Sequence, residues 1–199
     1  MISDLYEQAV RLAAVGHRRQ ERRGSGVPYV AHPFAVARIV EFAGFDELTV
    51  IAALLHDLVE DTSVTLEAIR DQFGHTIAET VAGCSEVKRD DSGAERTWED
   101  RKRDHLAALR AATEAARAVV LADKLHNLMS IRVDLQEGRP VWSLFRADRG
   151  RVLWYYEAVV EACETLDDRS RRLAEACRDE LRRVIALGRE NRESPDPEG

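Results

Sequence analysis

The sequence predicts an all-α fold, a single domain folded as a helical bundle of about eight to ten helices. Apolar residues recur three and four positions apart through most of the 199-residue chain, the period of a helix buried along one face. Between those segments stand capping residues and glycine or proline breaks, and no segment alternates apolar and polar residues as a half-buried strand would. Two runs, Val50–Leu55 and Val119–Ala122, are apolar on every side and belong at the centre of the bundle.

Asp4 and Glu7 resemble a capping pair, and Tyr6, Val10, Ala13 and His17 follow at helical spacing, so a first helix runs to about His17–Gln20. That spacing turns His17 inward, as a core histidine bonded to a neighbouring loop. Arg18, Arg19, Arg22 and Arg23 lead into Gly24-Ser25-Gly26-Val27-Pro28-Tyr29, a break without the Gly-Lys-Ser/Thr of a P-loop. Two readings of it stand open: a basic helix end suited to the dipole, or a phosphate grip of backbone amides and guanidinium groups. Pro33 is placed as the first residue of a second helix, with His32 at its threshold and Gly44 as its stop. Asp46 caps a third, running from about Glu47 into His56-Asp57-Leu58-Val59-Glu60-Asp61, and Thr65 caps a fourth that ends at Phe73-Gly74.

A fifth helix spans about Thr76–Val87, with Ile77, Val81 and Cys84 on one face. Residues 88–95, polar and containing Gly93, form a mobile loop. Thr97 and Asp100 open the next helix, which points Trp98, Leu106 and Leu109 inward and leaves Arg101, Lys102 and Arg103 as a solvated basic face. The helix from about Glu114 carries its apolar run straight into Asp123-Lys124-Leu125-His126-Asn127. Trp142-Ser143-Leu144-Phe145 is a short packed turn, and two amphipathic helices follow, over about Asp148–Leu166 and Asp168–Leu187. Residues 1–188 therefore make the domain, and Arg189 to Gly199, with Pro195 and Pro197, make a disordered tail.

Composition removes several classes of function. A net charge of −7 lacks the basic footprint that nucleic-acid binding needs. No apolar run approaches the ~20 residues of a membrane span, and the acidic N-terminus is unlike a signal peptide, so the chain reads as cytoplasmic. Cys84, Cys163 and Cys177 are too few and too scattered for a disulfide framework or a Cys-x-x-Cys metal site, and read as small buried hydrophobes. No feature of the sequence sets an oligomeric state.

The chemistry lies where ionisable residues end the two apolar runs. Asp57 and Asp61 are four residues apart, Asp57 and Glu60 three, so acids meet acids on one helical face, at an end where the dipole disfavours them. Stability alone does not select such a cluster. A buried carboxylate and imidazole cost several kcal/mol, roughly, unless paired or bound to a cation. Asp123, at the end of the second apolar run and sharing a face with Asn127, adds another acid to the same need.

These residues resemble the HD-domain metal phosphohydrolases, and within them the RelA/SpoT-type alarmone hydrolases, which remove the 3′-pyrophosphate of guanosine tetra- or pentaphosphate. Three motifs carry the resemblance, in the family's order, over about residues 4–165: Arg23-Gly24-Ser25-Gly26-Val27-Pro28-Tyr29 with His32-Pro33, then His56-Asp57 with Glu60-Asp61-Thr62, then Ala122-Asp123-Lys124-Leu125-His126-Asn127. The resemblance implies an HD-type bundle in which His32, His56, Asp57 and Asp123 hold one divalent ion, typically manganese. Two imidazoles and two carboxylates suit manganese, iron, cobalt or zinc better than calcium, with magnesium a further candidate. It makes Glu60 and Asp61 the acids that orient and deprotonate the attacking water, and assigns nucleotide contacts to Arg23, Ser25, Asn127 and Ser130. The expected partner is a small nucleotide, with no nucleic acid and no membrane.

Two positions depart from the pattern. Gly24 stands where the family usually follows the loop arginine with a basic residue, and Met129 where many members have arginine. Both remove positive charge meant for a highly anionic nucleotide, and Arg18, Arg22, Arg101, Lys102 and Arg103 are the candidates to replace it. The alternatives to an alarmone hydrolase are a phosphohydrolase for another nucleotide or phosphate ester, and a non-catalytic nucleotide sensor. Intact Glu60 and Asp61 argue against the sensor, which has no need of them.

Overall fold

The computed structural model describes residues 3–90, 92–165 and 167–193, with side chains as far as 188. Among them are ten α-helices and one short 3-10 turn; no strand forms, and the only sheet-like pairings are single bridges between Glu21 and Pro28 and between Arg89 and Glu95. The expected all-α fold is therefore the observed one.

Helix α1 (Asp4–Gly16) is capped by Ser3, whose Oγ accepts the Tyr6 amide at 3.1 Å, one residue ahead of the expected Asp4. Helix α2 (Ala31–Phe42) begins two residues before Pro33. The proline still fits, because amides of a first helical turn have no intrahelical acceptor. His32 thus sits inside the first turn rather than at the threshold, and is buried.

Helix α3 (Glu47–Leu55) opens at Asp46, whose Oδ1 accepts the Thr49 amide at 2.9 Å, and seven of its residues are buried. It does not continue through the acidic motif as expected. The helix breaks at His56-Asp57, and a single turn, α4 (Leu58–Asp61), follows. Glu60 and Asp61 therefore lie on a separate turn, and the dipole objection to acids at the end of a long helix lapses.

Helix α5 (Leu66–Phe73) has the predicted Thr65 cap, and Gly74, at φ +88°, turns the chain directly into α6 (His75–Cys84). The α6 helix stops three residues short of the expected Val87, and Ser85 leaves it extended, with ψ 140°. Beyond Asp90, whose carbonyl accepts the Gly93 amide at 2.9 Å, come α7 (Trp98–Ala111), capped by Thr97, and α8 (Glu114–Gln136), capped by Thr113. A 3-10 turn at Val141–Leu144 precedes α9 (Arg149–Ala162) and α10 (Asp168–Glu193). The last helix outruns its expected end at Leu187 and takes in residues 189–193 of the expected tail, while 194–199 lie outside the described residues.

Helix α8 is the axis: α10 lies along it, and α2, α3 and α6 pack on its first half. Gly83 lets α6 come close, since a Cβ there would lie 2.8 Å from the Ala116 Cβ of α8. Val119 to Ala122 belong to the main core, whereas Leu128, Ile131 and Leu135 belong to a second apolar cluster with Tyr156, Leu181 and Val184. The polar stretch Asp123–Asn127 falls between the two cores. Among the described residues, no helix is long and apolar enough to cross a membrane.

Candidate functional site

Four side chains from three distant segments meet at the break after α3. His32 Nε2 lies 3.0 Å from Asp123 Oδ1 and 3.5 Å from Asp57 Oδ2, and His56 Nε2 lies 3.2 Å from Asp57 Oδ2 and 4.0 Å from Asp123 Oδ1. The ligand atoms of His32, His56 and Asp57 all fall within 4.8 Å of one another. The expected donor set of His32, His56, Asp57 and Asp123 is thus brought together.

The donors are prepared for a cation. His56 Nδ1 is 2.8 Å from the Ala53 carbonyl and donates to it, which turns Nε2 toward Asp57 and Asp123, where a cation would take the place of its proton. That Nε2 is buried and has no hydrogen-bond partner, an orphan that a metal ion would satisfy. His32 Nδ1 is 2.8 Å from His126 Nδ1, one ring donating to the other, which orients His32 so that its Nε2 faces Asp123. Burial disfavours a charged His56, but Asp57 beside it and Asp123 outweigh burial and raise its pKa to about 9, a measure of the positive charge these carboxylates demand. Burial pushes Asp123 up as well, yet Lys124 and the two histidines hold it well below the usual carboxylate range. The donor chemistry and the orphaned nitrogen fit a divalent ion.

Partners from other elements aim the donors. The Tyr29 hydroxyl donates to Asp57 Oδ2 at 2.7 Å, and Lys124 Nζ is 2.6 Å from Asp123 Oδ2. Asn127 Nδ2 donates to Asp123 Oδ1 at 2.5 Å while its Oδ1 accepts from Arg22 at 2.8 Å. Tyr29 keeps its proton, because burial and then Asp57 both raise its pKa.

Two cavities adjoin here. One, of about 160 Å³, is lined by the four donors together with Glu60, Glu86 and Lys124. The other, of about 770 Å³, shares Arg22, Tyr29, His32 and Asn127 with the first and opens beyond Arg23, Ser25, Asp61 and Ser130. Its far wall is apolar, from Met129, Val133, Val141, Leu144 and Phe145. The loop of Arg22–Tyr29 thus borders the larger cavity rather than serving only as a solvated helix end.

Of the two expected water-handling acids, Glu60 faces the small cavity and Asp61 the large one. Arg23 points outward, with Nη1 3.5 Å from the Leu144 carbonyl, whereas Arg22 reaches inward to Asn127 and, at 3.4 Å, to Ser130 Oγ. Arg22 is therefore the inward arginine of the loop and Arg23 the outward one. Gly24, at φ +80°, has no room for a side chain, since a Cβ there would lie 2.5 Å from Leu144 Cδ1. Met129 remains a departure: it lines the larger cavity without charge.

Lys102 is not on a solvated face: its side chain is 13% exposed and pairs with Glu86. His17 is buried as expected, with Nδ1 2.6 Å from Gln20, which in turn donates to the Asp61 carbonyl at 2.6 Å. The sequence named Arg22 only as one of five candidate replacement cations, and it gave Tyr29, Lys88 and His126 no role in the pocket. Tyr29, three residues before His32 in the quoted motif, carried a usable signal; Lys88, in a loop placed by distant contacts, carried none.

A family model for the HD domain matches residues 9–149, more than half of the chain and all four donors. The chain belongs to the HD domain family. As an HD domain protein it is 36% identical over 172 residues to human MESH1, guanosine-3′,5′-bis(diphosphate) 3′-pyrophosphohydrolase, covering 85% of this chain and 88% of that one. It is 38% identical over 128 residues to a probable GTP pyrophosphokinase of Mycobacterium leprae, of which it spans only 16%. Among solved structures, a metazoan orthologue of SpoT that hydrolyses ppGpp superposes with a TM-score of 0.75 at 29% identity, covering 93% of this chain and 97% of that one. A Listeria monocytogenes protein gives 0.65 at 34% identity, over 82% of this chain and 99% of that one. The HD match ends at Arg149, the first residue of α9, so α9 and α10 extend the bundle beyond it.

Proposed function

We propose that this HD domain protein hydrolyses the 3′-pyrophosphate of guanosine tetra- or pentaphosphate, using one divalent ion, manganese by preference, held by His32, His56, Asp57 and Asp123. The observation that carries the reading is the convergence of those donors around a buried, unpartnered imidazole nitrogen, beside two further acids at the junction of a small polar cavity and a large one. The relatives named for this activity, matched over most of their length, support it.

When bound, such an ion supplies Lewis acidity at the phosphate and makes water more acidic. The protein's residues supply the rest. Glu60, in the small cavity, takes the proton from the attacking water, and Asp61, on the larger cavity beside it, orients that water. Arg22 and Arg23, with Ser25, Asn127 and Ser130, place the phosphates and ribose. The nucleoside lies in the larger cavity, against its apolar wall. Water adds at phosphorus, the bond from phosphorus to the 3′-oxygen breaks, and the products are guanosine 5′-diphosphate or 5′-triphosphate, with its 3′-hydroxyl restored, and pyrophosphate.

Met129 favours a second reading, a nucleotide carrying less charge at that position. Incubating manganese-loaded protein with guanosine tetraphosphate and a nucleotide panel, with products separated by ion exchange, tests both. Stoichiometric GDP and pyrophosphate from the tetraphosphate is the expected result. Cleavage of another nucleotide with the tetraphosphate intact would replace the first reading by the second.

A further inference from the structure

Residues 85–88 leave α6 extended, and from that short stretch two groups close on one carboxylate. The Glu86 backbone amide donates to Glu60 Oε1 at 2.7 Å, and the Lys88 ammonium stands 3.2 Å from Glu60 Oε2. Lys88 also donates to the Glu60 carbonyl at 3.3 Å and to Asp61 Oδ1 at 2.7 Å. Both oxygens of Glu60 are thereby held by a segment outside their own helix.

That support is needed, because α4 is a single turn. One turn of helix fixes few dihedrals and is marginal without tertiary contacts, and a glutamate side chain adds three more rotatable bonds. The supporting stretch is itself anchored. The Glu86 side chain, 11% exposed, pairs with Lys102 of α7 and accepts from the Tyr155 hydroxyl of α9 at 3.1 Å. Tyr155 is bonded in turn to His105 Nδ1 at 2.6 Å, and the Lys102 ammonium lies 4.1 Å from the Tyr155 ring centroid. Helices α7 and α9 fix residue 86, and residues 86 and 88 fix Glu60.

We propose that Lys88, carried on the stretch anchored through Glu86, is a positioning residue of the site: it sets the orientation in which Glu60 and Asp61 face the reacting phosphate. The inference rests on the reading of Glu60 and Asp61 as the acids that handle the attacking water. Lys88 acts through those acids, and its partners are Glu60 and Asp61 rather than the four cation donors. It also borders the larger cavity beside Asp61, which fits a residue that ties the acids to the place where substrate enters.

The test compares Lys88→Met and Lys88→Arg with the full-length wild type, all loaded with manganese and assayed on guanosine tetraphosphate. The position of the Glu86 amide in proton–nitrogen correlation spectra, recorded on the manganese-free proteins because the paramagnetic ion would broaden it, gives a readout independent of turnover. A shift of about 1 Å in a reacting group costs about 100-fold in rate, so Lys88→Met should lower kcat by about 10- to 100-fold while KM changes less than about twofold. Bound manganese should stay at one per chain, Lys88→Arg should recover most of kcat, and the Glu86 amide of Lys88→Met should move toward its position in Glu60→Gln. An unchanged kcat with a raised KM would make Lys88 a substrate contact and overturn the proposal, as would an unmoved Glu86 amide. Should the wild type cleave no nucleotide, the hydrolase reading fails, while the amide shift still decides whether Lys88 holds Glu60.

Discussion

At the scale of single residues, His56 offers Nε2 to a cation because the Ala53 carbonyl holds the proton on the other nitrogen, and Arg22 reaches the site because Asn127 accepts from it. The same logic separates two neighbouring arginines. Hydrogen bonds to a charged group are worth about 1.5–3 kcal/mol, so Arg22→Ala should raise KM for the nucleotide by about tenfold or more, whereas Arg23→Ala should change it by a few-fold at most. Steady-state kinetics on both variants checks this, and equal effects would show that Arg22 has no special place. His56, Asp57 and Asp123 were legible because ionisable groups at the end of a wholly apolar run have to be explained, whereas His32 entered the donor set only through the family resemblance. The resemblance pointed to Arg23, whereas Arg22 is the one that turns inward, an outcome that depends on how the glycine turn folds, with Gly24 under Leu144.

At the scale of helices, caps were the most readable feature: Asp46, Thr65 and Thr97 each open the helix expected of them. The break between α3 and α4 was not readable. Propensity favours continuing through Leu55 to Asp61, and the residues at the interruption are instead held from distant segments, Asp57 by the Tyr29 hydroxyl at 2.7 Å and Glu60 by the Glu86 amide at 2.7 Å. The approach of α6 to α8 gives a prediction at this scale. Gly83→Ala gains about 1 kcal/mol of helix propensity but places a Cβ 2.8 Å from that of Ala116, a contact with no flexible end to yield. Overpacking costs about 1–3 kcal/mol, so the variant should melt lower than wild type in calorimetry. A higher melting temperature would mean that the helices separate freely and that the close approach is not structural.

At the scale of the whole molecule, two cores meet along α8, and the polar site occupies the gap between them with buried charge that folding must keep paired. Burial pushes the Glu86 carboxyl up, but Lys102, then Lys124 and His105, hold it down to about 2 against an ordinary 4.5. Burial, then Lys124, lowers His105 from 6.5 to about 4. In both cases the folded pKa lies below the unfolded one, so the stabilisation is complete above the unfolded value and is lost as the pH falls toward the folded one. At ~1.4 kcal/mol per unit, each contributes on the order of 3 kcal/mol. Stability measured by urea unfolding should therefore fall from about pH 6.5 to 4 and again from about 4.5 to 2, and Glu86→Gln should flatten the second fall and deepen the first, because the Glu86 carboxylate beside His105 favours its charged form. The fold class was legible from periodicity alone, while the pairing of Glu86 with α7 and α9 needed the assembled bundle, because Lys102 reads as solvent-facing in its own helix. The central claim, that three distant segments build one cation site, is tested most directly by anomalous diffraction from manganese-loaded crystals. One peak within coordination distance of His32 Nε2, His56 Nε2 and carboxylate oxygens of Asp57 and Asp123 is the expected result; no peak there, or a peak that leaves out any of the four, would contradict it.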